Sequence, residues 1–274
     1  MIKKLFNSPK FNKILFNLNK SSFNKNSKFD NLHNGQTCYI FGNGESLKSF
    51  DFSSFNDRTS IGCNSLFFHN DFKKLNCLYY QIPPALFFLP YFKYYNRLQY
   101  NPVSNAYKKK IHELTRTNFF TSIYNRPFVY GKNIFYEHHF GNRIPNINHC
   151  NLTHSFSFMA SATDAMIGMA IYMGFKEAIL VGVDYTFENS VSQHFFEKGK
   201  GVYKNESKYK EAFFNKVQQH INLKTITLDG INSDCLDSIN YKEYTGKDEE
   251  YKENNEIVNE KYLNILNSLG FYNI

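Results

Sequence analysis

The chain has 274 residues, of which 42% are hydrophobic, so it can bury a globular core and does not fall in the disordered class. No apolar run of about 18 residues occurs, and the first residues lack the compact apolar segment of a secretory signal. We therefore expect a cytoplasmic protein without a transmembrane helix. The net charge of +8 is concentrated at one end, which argues against nucleic acid as the partner.

The first 36 residues are predicted to form a basic amphipathic segment. Seven lysines and no acid precede Asp30, and Phe11, Ile14, Leu15 and Leu18 follow helical spacing among them. Residues 1–28 are therefore a candidate for peripheral attachment to an anionic membrane surface at the inner face of the cytoplasmic membrane. A frayed terminus, or a helix docked on its own domain, accounts for the pattern equally well.

Residues 37–240 are predicted to form one Rossmann-like α/β domain. Residues 161–173 form an apolar helix that ends at Gly174, and residues 207–220 form a second helix. Short strands joined by crossovers favour a mostly parallel sheet with helices on both faces. The apolar runs that predict strands are residues 37–41, 59–62, 77–80, 178–183 and 225–228.

Two regions interrupt or extend this domain. Residues 81–158 are rich in aromatic residues and broken by prolines, so we expect irregular helices and loops packed over one end of the sheet as a lid or insert. Within them, the aromatic stretch from Tyr79 to Tyr100 suggests either an acceptor platform or a packed lid or subunit interface. Residues 241–274 are predicted to be a helical tail that closes the domain.

The turn Gly42-Asn43-Gly44 follows the first predicted strand, where doubly wound sheets bind nucleotides. Glycines there permit a tight turn and let backbone N–H groups approach a phosphate. The dinucleotide-binding pattern is incomplete because Leu47 occupies its third glycine position. An ordinary turn at the end of a strand remains the alternative.

Three polar residues strengthen the nucleotide interpretation, because each follows an apolar strand. Asn43 and Asn64 follow the first and second strands, and Asp184 follows the strand at 178–183. The same edge of a parallel sheet would present all three. Amide groups hydrogen-bond phosphate, ribose or cytosine without adding negative charge.

His194 is the candidate general base, because it follows Asp184 within the polar loop 187–206 and imidazole accepts protons at neutral pH. The histidines at 138, 139, 149 and 154 have irregular spacing and no matching carboxylates, so we predict no metal site. The five cysteines are odd in number and lack a CxxC pair, which predicts reduced thiols.

Residues 40–47, Cys63-Asn64, residues 174–184 and His194 together resemble the Campylobacter-type sialyltransferases of glycosyltransferase family 42. They are also similar to the MptE-like domain of polysaccharide gene clusters. The resemblance covers about residues 37–230. It implies an inverting, metal-independent transfer from a CMP-sugar, with no cofactor besides that donor. The fold implied is a Rossmann-like sheet with a lid, a single-domain variant of the GT-A type.

The resemblance also implies roles for individual residues. Asn43 and Asn64 would hold CMP, and His194 would deprotonate the acceptor. Tyr185 and Tyr203 are candidates for the donor phosphate, although Thr186 stands where the family continues differently. The remaining donor-binding candidates belong to the glycine turn, the strand end and the helix start: Gly42, Gly44, Ser46, Asp184, Ser161 and Thr163.

The departures from the family leave the donor sugar open between sialic acid, another nonulosonate and Kdo. The acceptor would be a hydroxyl of a bacterial surface glycan such as lipooligosaccharide or capsule. One alternative is an MptE-like diphosphokinase that uses ATP and Mg²⁺, for which Asp184 and Glu45 form the candidate carboxylate pair. Another is a non-catalytic partner in polysaccharide assembly, and a homo-oligomer is compatible with each.

Overall fold

The computed structural model describes residues 9–82, 87–94, 97–138, 150–156, 161–188, 193–197 and 207–267. Its strands are β1 Thr37–Phe41, β2 Ser60–Cys63, β3 Cys77–Gln81, β4 Tyr91–Tyr94, β5 Arg97–Tyr100, β6 Asn118–Ser122, β7 Ile134–Glu137, β8 Glu177–Val181, β9 Asn222–Thr227 and β10 Asp237–Asn240. Its α-helices are α1 Pro9–Asn24, α2 Pro102–Glu113, α3 Ala162–Tyr172, α4 Ser207–Val217, α5 Tyr241–Thr245, α6 Asn254–Ile257 and α7 Glu260–Asn267.

In the described part of the chain, eight strands form one sheet in the order β10-β9-β8-β1-β2-β3-β6-β7, and all neighbouring pairs are parallel. The strands β4 and β5 form a separate antiparallel hairpin. This architecture confirms the predicted Rossmann-like α/β fold. From β1 the chain builds outward through β2 and β3, whereas β8 pairs with the opposite side of β1. The strand order therefore reverses between β1 and β8, the position at which doubly wound sheets bind ligands.

The two faces of the sheet bury separate hydrophobic clusters. Along β1, Cys38 and Ile40 join the cluster that contains α3 and the end of α4. Tyr39 and Phe41 point into the other cluster, with residues of α2, α5 and α7. Alternate residues thus face opposite layers, as period-two strand geometry requires. Helices cover both faces, as predicted.

The expectation of irregular helices and loops over residues 81–158 is wrong for the hairpin at residues 91–94 and 97–100 and for residues 118–137. The strands β6 and β7 lie there and extend the central sheet. The polar residues in these strands make them hard to recognise in the sequence, because their side chains bond to partners on other strands. Gln81 of β3 donates a 3.0 Å hydrogen bond to Glu137 of β7, and neither side chain is exposed.

The helix α1 docks beside β7 rather than fraying. Its Phe23 is fully buried, and Phe16 stacks on Phe23 with ring centroids 5.2 Å apart. The predicted apolar stripe is divided, because Leu15 packs against the core while Ile14 and Leu18 are 49% and 76% exposed. Residues 1–8 lie outside the described residues.

The closing helix predicted near the carboxyl end consists of two helices, α6 and α7. Val258 separates them in an extended conformation and forms an isolated bridge with His69. Gly174 ends α3 with φ +83°, as predicted for a helix-stopping glycine. Among the helices of the described residues, none is sufficiently long and apolar to cross a bilayer.

Candidate functional site

A cavity of about 220 Å³ opens where the strand order reverses. The loops after β1, β2 and β8 form its walls, and the first residues of α3 and the segment 193–197 complete it. The residues that line it are Gly42, Asn43, Gly44, Cys63, Asn64, Ser161, Ala162, Thr163, Gly182, Val183, Asp184, Tyr185, Gln193 and His194.

The glycines of the turn let two loops approach each other. The N–H groups of Gly42 and Gly44 donate to the carbonyls of Val181 and Gly182, both at 2.8 Å. A Cβ on Gly42 would lie 2.2 Å from the Gly182 carbonyl oxygen, and one on Gly44 would lie 2.4 Å from the Asp184 carboxylate. The prediction that these N–H groups face a phosphate is therefore wrong for Gly42 and Gly44, because the β8 loop already accepts their hydrogen bonds.

Asp184 stabilises the same turn through its carboxylate. Its carboxylate accepts hydrogen bonds from the Ser46 backbone N–H at 2.8 Å and from the Ser46 hydroxyl at 2.5 Å. Burial raises the pKa of Asp184 to about 6, against the lowering effect of the two Ser46 bonds. Ser46 is itself buried and does not line the cavity. Asp184 lines the cavity, whereas Ser46 lies outside the lining and holds the Asp184 carboxylate in place.

Asn43 places an amide at the floor of the cavity. Its Nδ2 donates to the Cys63 carbonyl at 3.0 Å and contacts the Cys63 Sγ at 3.3 Å. The Asn43 Oδ1 is buried and has no hydrogen-bond partner among the described residues. Burial raises the pKa of the Cys63 thiol to about 12, so this cysteine is a neutral neighbour and not a nucleophile. Asn43 and Cys63 therefore contribute only neutral groups to the lining of the cavity.

Asn64 adopts a left-handed backbone conformation, with φ +50°. Its backbone is fixed on both sides, because its N–H donates to the Gln81 carbonyl at 3.2 Å and its carbonyl accepts from the Tyr80 hydroxyl at 2.8 Å. Asparagine tolerates this conformation better than most residues. Such conformations cluster at binding sites, where the surrounding structure holds them. Asn64 lines the cavity, as the sequence predicts.

The amino end of α3 forms another wall. Ser161 caps the helix, since its hydroxyl accepts the Asp164 N–H at 3.1 Å. Burial, together with the nearby Asp164 carboxylate, raises the pKa of Tyr185 well above its usual value, and the neighbouring hydroxyls of Ser161 and Thr163 partly oppose this shift. Tyr185 is thus a neutral phenol beside two hydroxyl groups. The helix directs its positive end toward the cavity.

His194 sits on the glycine turn through backbone pairing. It forms an isolated antiparallel bridge with Gly44, and the next N–H, that of Phe195, donates to the Asn43 carbonyl at 3.0 Å. The His194 ring stacks on Phe196 at 5.2 Å. Its side chain is 33% exposed, so it reaches both the cavity and solvent.

Glu197 holds His194 in place. The Glu197 Oε2 accepts the His194 backbone N–H at 2.7 Å and lies 3.2 Å from the His194 Nδ1. The Glu197 side chain is only 13% exposed. This pairing was not predicted, although a carboxylate three residues after a candidate base is a recognisable signal. A carboxylate on Nδ1 selects the tautomer whose Nε2 carries the lone pair.

Two other parts of the chain also hold the segment 193–197 in place. Gln193 donates to Glu45 at 3.0 Å, and Glu45 pairs with the buried Lys48 at 3.4 Å. From the carboxyl-terminal region, the buried Asn254 donates to the Phe196 carbonyl at 3.1 Å. These partners come from distant parts of the chain, and nothing in the local sequence indicates them.

The structure brings most of the predicted site residues to one cavity. Ser46 stands behind the wall, and Tyr203 lies outside the described residues, as do His139 and His149. His138 and His154 pack against Phe16 of α1, at 5.3 Å and 6.2 Å between ring centroids. The described residues contain no group of three His, Cys, Asp or Glu side chains placed to hold a metal ion. Asp184 and Glu45, the carboxylate pair of the diphosphokinase alternative, are both engaged by neighbouring side chains.

No protein-family profile matches the chain, and no curated protein matches it significantly. Solved structures do match. The sialyltransferase CstII from Campylobacter jejuni, in complex with cytidine-5'-monophosphate, is 18% identical and covers 88% of this chain and 99% of its own, with a TM-score of 0.47. The monofunctional α-2,3-sialyltransferase Cst-I of Campylobacter jejuni is also 18% identical, covers 81% of this chain and 86% of its own, and has a TM-score of 0.45. Both similarities are distant in sequence and in superposition.

Proposed function

We propose that the chain is a glycosyltransferase that moves sialic acid, or a related nonulosonate or Kdo, from a CMP-sugar to a glycan hydroxyl. The observation that carries the proposal is the His194–Glu197 pair, which rests on the glycine turn at the edge of the cavity. A base held by a carboxylate beside a pocket of amides and hydroxyls suits proton abstraction from a sugar alcohol.

The donor would bind through neutral groups. The unpaired Oδ1 of Asn43 accepts a hydrogen bond from the cytosine amino group or a ribose hydroxyl. Asn64 offers an amide from the neighbouring loop. The phosphate would lie at the amino end of α3, where the helix dipole and the hydroxyls of Ser161 and Thr163 favour negative charge.

The reaction that this arrangement serves is a single displacement. The acceptor oxygen attacks the anomeric carbon as its proton passes to Nε2 of His194, and CMP departs with the electron pair of the broken bond. The configuration at the anomeric carbon is thereby inverted. Glu197 holds the Nδ1 proton and stabilises the imidazolium that forms. Tyr185 supports the departing phosphate as a neutral hydroxyl donor.

The first test measures ligand binding by isothermal titration with CMP and with ATP, each with and without Mg²⁺. CMP is the nucleotide bound in the structure of CstII. We expect CMP to bind equally well in EDTA. ATP binding that requires Mg²⁺, together with no binding of CMP, would favour the diphosphokinase.

The second test is His194→Ala, assayed with a panel of CMP-sugars and sugar acceptors by mass spectrometry. Turnover should fall by about 10²–10⁴-fold while CMP affinity stays nearly unchanged, because the base contacts the acceptor. The matched control is His220→Ala, since His220 is exposed after α4. Full turnover by the His194 variant, once a working donor and acceptor are known, would remove the assignment.

We also propose that α1 attaches the protein to an anionic membrane surface. Ile14 and Leu18 are exposed on the outer side of the docked helix, and Lys10, Lys13 and Lys20 are exposed on the same helix. Exposed apolar side chains among lysines suit a bilayer interface that carries anionic lipids. The attachment would place the cavity near acceptors that are themselves membrane-bound.

A further inference from the structure

A second and larger cavity lies on another part of the molecule. It has a volume of about 490 Å³ and is enclosed by α2, by the turns at Leu66–Phe68 and Asn70–Lys74, and by α7. None of its lining residues lines the first cavity. The proposed transfer reaction assigns it no role.

The walls of this cavity carry an excess of positive charge. Four lysines line it, and Glu113 is the single acid among its lining residues. Glu113 is shared by Lys109 at 3.9 Å and Lys110 at 3.6 Å. Lys73 and Lys261 have no carboxylate within 4.0 Å in the described part of the chain. A concave surface with one sign of charge concentrates anions of the opposite sign.

An aromatic ring stands beside these lysines. Tyr262 of α7 packs against Phe68 with ring centroids 4.6 Å apart, and the Lys110 Nζ lies 5.1 Å from the Tyr262 ring. The ring is held firmly, because Leu263 and Leu266 anchor α7 in the core. An aromatic face next to a cation binds a sugar ring and its charged substituent together.

A buried donor lies in the same wall. His69 is 3% exposed, and burial lowers its pKa to about 4, so its ring is neutral. The His69 Nδ1 accepts the Asp71 N–H at 3.1 Å, which places the ring proton on Nε2. That Nε2 has no acceptor among the described residues. His69 thus contributes a neutral N–H group to the residues that line the cavity.

We infer that this cavity is a second binding site, for a saccharide that carries a phosphate or carboxylate group. Lys73 and Lys261 would contact the anionic group, and Tyr262 would support the sugar ring. The site also neighbours the proposed chemistry, because the His69 ring lies 5.5 Å from Phe195, which follows His194. An acidic unit of the acceptor glycan has the required chemistry.

The test is isothermal titration of the full chain at low salt, in saturating CMP. The probes are N-acetylglucosamine 6-phosphate, glucuronic acid, uncharged N-acetylglucosamine and inorganic phosphate. We expect at least one of the two charged sugars to bind more tightly than either the neutral sugar or phosphate. Which charged sugar binds more tightly distinguishes a phosphorylated from a carboxylated ligand.

Two double variants separate a local site from general electrostatics. Lys73→Ala with Lys261→Ala should weaken binding of the charged sugar by about tenfold or more. Lys132→Ala with Lys176→Ala removes the same charge at exposed positions elsewhere and should have little effect. Tyr262→Ala should weaken the charged sugar but not phosphate, since phosphate has no ring to stack.

The inference is overturned if neither charged sugar binds, if phosphate binds as tightly as the sugars, or if both double variants weaken binding equally. Binding that is seen in a parallel titration without CMP and lost in saturating CMP would also overturn it, because the sugar would then occupy the first cavity. If CMP itself fails to bind, the proposed donor chemistry fails, whereas the titrations with charged sugars still decide the second cavity.

Discussion

Replacing Asp184 with asparagine should stabilise the protein above pH 6. The asparagine Oδ1 can accept the Ser46 backbone N–H and its Nδ2 can donate to the Ser46 hydroxyl, so the two hydrogen bonds are kept. What is lost is the charge. Burial raises the pKa of this carboxyl from 3.8 to about 6, which means that the folded protein ionises it with difficulty.

The sign and size follow from proton linkage. In the window between pH 3.8 and about 6, the folded protein keeps a proton on Asp184 that the unfolded chain has released. The stability that the protonated Asp184 contributes is fully present below this window. It is lost as the pH rises through the window. A difference of about two pKa units corresponds to about 3 kcal/mol in the free energy of unfolding. Asp184→Asn should therefore match the wild type near pH 4 and exceed it by up to about 3 kcal/mol at pH 8.

The assay is urea unfolding followed by circular dichroism at intervals from pH 4 to pH 8, on wild type and variant. Asp237→Asn is the control, because Asp237 is an exposed residue of β10. Its difference from wild type should vary little with pH. A difference for Asp184→Asn that is constant across pH, or a variant less stable than wild type at pH 8, would refute the reasoning.

Three further changes test other parts of the structure. Glu197→Gln should lower turnover by up to about 10⁴-fold with little change in CMP affinity, because the amide cannot stabilise the imidazolium of His194. Gly44→Ala should cost about 1–3 kcal/mol in urea unfolding and abolish CMP binding, because its Cβ would lie 2.4 Å from a carboxylate. Ile14→Asp with Leu18→Asp should reduce sedimentation with anionic vesicles while leaving the melting temperature nearly unchanged.

Each of these has a matched control. Glu211→Gln changes an exposed glutamate of α4 and should keep full turnover. Gly131→Ala meets its nearest neighbours at 3.4 Å and should change stability by about 0.5 kcal/mol or less. Leu32→Asp alters a side chain that is 52% exposed outside α1 and should leave vesicle binding intact. Equal effects in a variant and its control would contradict the corresponding role.

The parts of the fold that the sequence predicts are those with strong apolar patterning. The strands β1 and β8 are buried on both faces, so their runs are continuous, and glycines mark where they end. The strands β6 and β7 have shorter runs of apolar residues. They also contain Asn118 and Glu137, whose side chains bond to residues of β3. Side chains satisfied by distant partners look like loop residues in a linear sequence.

The candidate site likewise has residues that the sequence predicts and partners that it does not. Asn43, Asn64 and His194 are predictable because each follows a strand or lies in a polar loop near one. The partners that fix them are not, since a hydrogen bond such as that from Asn254 to the Phe196 carbonyl joins residues 58 positions apart. The hydrogen bond between Ser46 and Asp184 could not be predicted either, because the two residues meet only in the folded turn.

The anchoring of residues 193–197 by the carboxyl-terminal region has a consequence for the order of assembly during synthesis. The Lys252 N–H also donates to the Lys48 carbonyl at 2.9 Å, so this region fastens both the histidine segment and the turn beneath it. A nascent chain that has emerged only as far as β9 contains every residue lining the cavity, yet lacks the hydrogen bond that Asn254 donates to the Phe196 carbonyl. A chain cut short after β10 would therefore keep the contacts between the histidine segment and the glycine turn but lose the one from α6, so the last residues to leave the ribosome complete the support of this segment.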